Sequence, residues 1–131
     1  MAFKLERERT KTTPYILIDE EKGYMCFEGE SYFEDIVGFF KEINEWLQVH
    51  MASDFTQFTF DCALEYFNSS TNKQIYNILR LMDAAAPGKQ VVVNWIVANE
   101  DDDMLIESGE DYQNDMENLK FNIKITESSV V

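Results

Sequence analysis

The segment from Phe58 to Val97 constrains the fold most, because its hydrophobic period changes twice within forty residues. Phe58, Phe60, Cys62 and Leu64 recur at every second position, the spacing of a half-buried strand. Ile75, Ile78, Leu79, Met82 and Ala86 then follow the i, i+3, i+4, i+7 rule of an amphipathic helix, which Pro87-Gly88 terminates. The run Val91-Val92-Val93-Asn94-Trp95-Ile96-Val97 is almost continuously apolar and reads as a central strand covered on both faces. A strand-helix-strand unit follows, and with it an α/β architecture rather than a sandwich or a bundle.

The flanking sequence extends that unit. Tyr15 to Ile18 and Tyr24 to Phe27 read as two strands joined across Asp19-Glu20-Glu21-Lys22-Gly23, a hairpin-length connection closed by glycine. Ser31-Tyr32-Phe33-Glu34 matches the capping-box spacing, and Ile36, Phe39, Phe40, Ile43, Trp46 and Leu47 supply the apolar stripe of a helix running to about Met51. Asp101 to Met116 is acidic with sparse apolar residues and reads as a solvated helix or two short turns. Phe121, Ile123 and Ile125 alternate with polar residues and give a last strand. The fold expected is therefore a single-domain mixed β-sheet of about five strands with helices packed on it, opening with a hairpin and continuing as βαβ. No repeat, linker or low-complexity stretch divides residues 1–131, with 1–11 and 127–131 expected as loose termini.

At 131 residues and 45% hydrophobic, the chain can remove roughly two-thirds of its unfolded surface from water. A formal net charge of −14 disfavours nucleic acid, whose binding depends on Lys and Arg displacing counterions. The same charge argues against an anionic membrane surface, and no apolar run approaches the roughly 20 residues of a transmembrane span. Met1 to Lys11 lacks the apolar stretch of a secretory signal, so a cytoplasmic location is expected. Cys26 and Cys62 both fall within apolar strand patterns and read as buried thiols.

Catalytic chemistry is poorly supplied. One histidine, His50, sits at the C-terminal end of the first helix, where a positive charge is favourable. A serine triad lacks its base, a zinc site lacks ligands, and the scattered glycines form no phosphate-cradling loop, so no cofactor is expected. Glu100-Asp101-Asp102-Asp103 departs from the EF-hand pattern. It reads as a solvated face or a recognition surface for a basic partner. A metal-dependent enzyme using Asp101, Asp103 and Glu107 is the enzymatic alternative.

Between the central strand and its helix lies Tyr66-Phe67-Asn68-Ser69-Ser70-Thr71. Three consecutive hydroxyls at a helix start admit two readings. Ser69 or Ser70 can simply cap the helix, although Asn72 and Lys73 stand where a capping box wants Glu or Gln. Alternatively, a hydroxyl there is a switchable charge site, since unpaired N–H groups and the macrodipole favour an anion such as a phosphate ester.

The order and spacing of Thr10-Lys11-Thr12-Thr13-Pro14, Gly29-Glu30-Ser31-Tyr32, Trp46, Glu65-Tyr66-Phe67-Asn68-Ser69-Ser70, Trp95 and Asp101 to Tyr112 resemble the SiaC-like regulatory phosphoproteins of bacteria, over roughly Thr10 to Ile125. The resemblance implies a non-enzymatic switch protein, phosphorylated by a Ser/Thr protein kinase and reversed by a PP2C-like phosphatase. In the best-known members of that family the unphosphorylated form binds and activates a diguanylate cyclase, which links the switch to cyclic-di-GMP and biofilm formation. The acceptor position falls on Ser69, where the family often has Thr, with Ser70 and Thr71 as neighbouring candidates. Tyr66, Asn68, Ser70, Thr71 and Lys73 would then surround it as partner-binding residues. The layout is also similar to STAS-type anti-sigma-factor antagonists, which implies partner switching on an anti-sigma factor as the alternative function.

Overall fold

A computed structural model describes residues 2–126. Six strands and three helices alternate along the chain in the order β1 (Lys4–Arg7), β2 (Tyr15–Asp19), β3 (Tyr24–Ser31), α1 (Ile36–Met51), β4 (Gln57–Phe67), α2 (Ser69–Ala85), β5 (Gln90–Val97), α3 (Asp103–Asp115) and β6 (Lys120–Ile125). The strands form one mixed sheet whose spatial order is the chain order. β1, β2 and β3 pair antiparallel, while β3 to β6 are parallel, each parallel step being bridged by one helix.

The hairpin, the βαβ unit and the last strand stand where the sequence patterns put them. The count is six strands rather than five because the segment expected as a loose N-terminus supplies β1. Its charged sequence hides a strand with a working inner face. Leu5 lies opposite Ile18 and packs on the core, and Arg7, opposite Ile16, donates from Nη1 to the Phe39 carbonyl of α1 at 3.0 Å and from Nη2 to Glu42 at 2.6 Å. The other expected loose segment, 127–131, lies outside the described residues.

The core occupies one face of the sheet. Register sets Ile18 beside Met25, Met25 beside Phe60, Phe60 beside Val93 and Val93 beside Phe121. Phe27 anchors this layer by meeting Phe40 of α1 and Phe60 of β4, with ring centroids 5.5 and 4.8 Å apart. Among the described residues no helix covers the opposite face, contrary to the reading of Val91–Val97 as a strand enclosed on both sides. Val92, Asn94 and Ile96 are only half-buried, shielded by neighbouring strands. Polar groups on this open face satisfy one another: Tyr24 donates to Asp61 at 2.7 Å, Asn94 to Asp61 at 2.8 Å, and Asn122 to Asn94 at 3.0 Å. This ladder ties β3, β4, β5 and β6 together.

Two local expectations at α1 change. The helix is capped by Asp35, whose carboxylate accepts from Gly38 N at 3.1 Å, and not by Ser31. Ser31 is instead the last residue of β3. The register with β4 shifts at Gly29, φ 111°, where Glu65 is the extra residue on β4, so that Ser31, inward-facing at the same period as Met25 and Phe27, pairs with Phe67. His50 does fall in the last turn of α1, but not to carry charge: its ring stacks between Trp46 and Phe55 at 4.7 and 5.1 Å, and burial pushes its pKa below the ordinary 6.5. Both cysteines are free and buried as expected.

Candidate functional site at the start of α2

β4 delivers the chain to the start of α2, and the turn between them is fixed from β3. Asn68 N donates to Ser31 O at 3.2 Å, and Asn68 itself is extended, at φ −90° and ψ 179°. The cap of α2 is Asn68 rather than either serine: its side-chain oxygen accepts from Thr71 N at 3.0 Å. Thr71 is fully buried. Its hydroxyl donates to Ser31 O at 3.0 Å, which leaves the Ser31 hydroxyl to donate to Thr71 Oγ1 at 2.8 Å. This closed arrangement removes Thr71 from the surface on which a partner or kinase was expected to meet it.

Ser69 and Ser70, in the first turn, are both exposed and neither accepts nor donates a side-chain hydrogen bond within the described residues. Capping is therefore assigned to a residue other than the two free hydroxyls, and nothing in the helix start depends on them. Tyr66 is 53% exposed, with its ring edge-on to Tyr32 at 5.6 Å, and Lys73 is exposed one turn after Ser69.

Ser69 also lines a groove of about 360 Å³ whose second wall the sequence patterns did not reveal. Phe67, Asn68, Ser69, Asn72 and Tyr76 form one side, and Ser108, Asp111, Tyr112 and Asp115 of α3 form the other. α3 is one continuous helix capped by Asp102, and it buries Leu105, Gly109 and Tyr112 on a single stripe, so it is neither broken into turns nor fully solvated. Trp95 of β5 fixes it, donating from Nε1 to Leu105 O at 2.8 Å and packing against Tyr112 with centroids 5.2 Å apart. Tyr112 in turn donates its hydroxyl to Asn72 Oδ1, one turn beyond Ser69 on the same face of α2. Burial raises the Tyr112 pKa, so the phenol remains a donor.

The groove holds no lysine or arginine, while Asp111 and Asp115 are exposed carboxylates along its rim. Among the described residues no group of three or more His, Cys, Asp or Glu is placed to hold a metal ion, and Asp102 spends its carboxylate on the α3 cap. No helix among them is long and apolar enough to cross a membrane.

A mixed sheet with helices on one face, and free serines presented at a helix start beside an open polar groove, defines a small open-faced α/β domain. The sequence model of the SiaC family regulatory phosphoproteins matches residues 7–126. The chain belongs to that family. It is 30% identical over 87 residues to an uncharacterised protein of Pseudomonas aeruginosa strain UCBPP-PA14, spanning 66% of this chain and 69% of that one. The fold is similar to apo-SiaC from Pseudomonas aeruginosa, at TM-score 0.80 and 26% identity over 95% of this chain and 99% of the other. It is also similar, at TM-score 0.81 and 26% identity over 93% of this chain and 98% of the other, to a chain in the crystal structure of the diguanylate cyclase SiaD in complex with its activator SiaC from the same organism. The family match agrees with the resemblance carried by the sequence motifs.

Proposed function

We propose that this chain is a non-enzymatic switch protein that binds and activates a diguanylate cyclase when unmodified, and is released from it by phosphorylation on Ser69. The observation that carries the reading is the division of labour among the clustered hydroxyls: Thr71 is buried and doubly bonded and Asn68 caps, which leaves Ser69 and Ser70 exposed with no structural duty, and of these two Ser69 lines the groove. The likeness to a SiaC chain in complex with a cyclase supplies the class of partner.

A Ser/Thr kinase would transfer the γ-phosphoryl group of ATP to Ser69 Oγ, forming the O–P bond and releasing ADP and the hydroxyl proton. A PP2C-like phosphatase would return the hydroxyl by hydrolysis. Added charge of roughly −1.5 to −2 beside Tyr66 then opposes a contact that accepts the neutral helix start, with Tyr66, Asn68, Ser70 and Lys73 around it.

Incubation with the cognate kinase and ATP, followed by mass spectrometry, tests the acceptor. Modification confined to Ser69 and lost in Ser69→Ala is expected; modification that survives the substitution overturns the assignment. Cyclase activation by unmodified but not by phosphorylated protein tests the output.

A further inference from the structure

We propose that α3 is the internal reader of Ser69: a phosphoryl group there loosens α3 from the sheet by repelling its Asp111–Asp115 edge and breaking the Tyr112–Asn72 hydrogen bond. This rests on Ser69 being the modified residue. What it adds is the part of the fold that responds.

Ser69 and Asn72 are i, i+3 neighbours on the α2 wall of the groove, so a phosphoryl group on Ser69 enters the space beside the Asn72 amide. Asn72 is the side chain through which α2 holds α3 directly, by accepting from Tyr112, and it has no second partner among the described hydrogen bonds. Facing it are Asp111 and Asp115, with no lysine or arginine in the lining to neutralise an incoming dianion. The α2 N-terminus offers roughly half a positive charge in return, and the exposed Lys73, one turn after Ser69, lies outside the groove lining. Like charges that face one another across a groove repel where their separation does not exceed the screening length of about 8 Å at physiological salt, and the protein walls weaken that screening.

α3 is also the helix best placed to yield. Its N-terminal half is held by Trp95 through Leu105, and its C-terminal half by Tyr112 and by Gln113 Nε2, which donates to Phe121 O at 2.9 Å. Losing the Tyr112 bond leaves the half that carries both carboxylates with one side-chain hydrogen bond from α3 itself. Opening it changes the surface beside Ser69 without unfolding α2, whose cap is built from Asn68, Thr71 and Ser31.

The test uses full-length protein with phosphoserine encoded at position 69, so the response of α3 is measured whether or not any kinase modifies that residue. Amide hydrogen exchange in α3 is expected to accelerate by about fivefold or more relative to unmodified protein, with β4 unchanged. In the same protein carrying Asp111→Asn and Asp115→Asn, which retain side-chain size, that acceleration is expected to fall by more than half. A smaller acceleration, or slower exchange as when Tyr112 grips the phosphate instead, overturns the proposal, as does full acceleration in the double variant. Failure of the kinase assay at Ser69, by contrast, overturns the proposed function and leaves this measurement standing as a property of the groove.

Discussion

Replacing Gly109 by Ala probes the seam between α3 and the sheet. Gly109 has ordinary helical backbone and is buried, so intrinsic propensity alone predicts a gain of about 1 kcal/mol from the substitution. The packing predicts the opposite sign. A Cβ at this position would lie 2.8 Å from Trp95 Nε1 and 3.1 Å from Trp95 Cγ, and closer still to Cδ1, against an ordinary contact of about 3.5–4.0 Å. The indole cannot retreat easily: it is 2% exposed, packs against Phe67, Tyr112 and Phe121, and is tethered by its bond to Leu105 O. Relief therefore moves the helix, at an overpacking cost of about 1–3 kcal/mol, with a further 1–3 kcal/mol if the buried indole N–H loses its acceptor. After the propensity gain, a net loss of about 3 kcal/mol is expected. Urea denaturation followed by far-ultraviolet circular dichroism would show this as a midpoint lower by about 1–2 M, taking a slope of about 2 kcal/mol per M. A variant as stable as the parent, or more so, would refute the claim that Gly109 exists to let α3 approach Trp95.

Three further outcomes follow from the same geometry. Asp83 of α2 accepts from the backbone N–H groups of Glu117, Asn118 and Leu119, at 3.3, 2.7 and 3.0 Å, so Asp83→Ala should cost about 2–4 kcal/mol in the same denaturation assay, and Asp83→Asn less. Thr71→Val keeps the shape but leaves Ser31 without its hydroxyl partner, and a loss of about 1–3 kcal/mol is expected, with the α2 start the first segment to gain hydrogen exchange. Burial favours the neutral His50 ring, opposed by Glu20 and assisted by Lys89, so the unfolded chain takes up a proton at higher pH than the folded one. The stabilisation is thus complete above the ordinary value of 6.5 and is lost as pH falls through the lower folded value; His50→Phe should flatten thermal stability between pH 5 and 7, and an unchanged pH profile would refute the assignment.

Most of the sheet was legible because its strands and helices carry their own periodicities, as Phe58–Leu64 and Ile75–Met82 do. What escaped was whatever depends on a distant partner. Lys4–Arg7 reads as an acidic and basic stretch until Leu5 finds the core and Arg7 finds α1. Ser31 has the spacing of a cap but, as the last inward-facing residue of β3, serves Thr71, 40 residues away. At the site, the exposed serines could be found locally, whereas the acidic wall could not. Tyr112 meets Asn72 across 40 residues, and only the approach allowed by Gly109 brings α3 there. A glycine and a tyrosine three residues apart in an acidic helix give a weak local signal for that contact.

Because neighbours in the sheet are also successive in the chain, each strand finds the edge it needs already finished when it leaves the ribosome. Assembly by accretion from β1 toward β6 never has to hold a gap open for a segment still to come. The groove beside Ser69 is completed only by the last helix to be made. A nascent chain stopped before α3 therefore already carries the serine and its cap, but not the acidic wall that faces them.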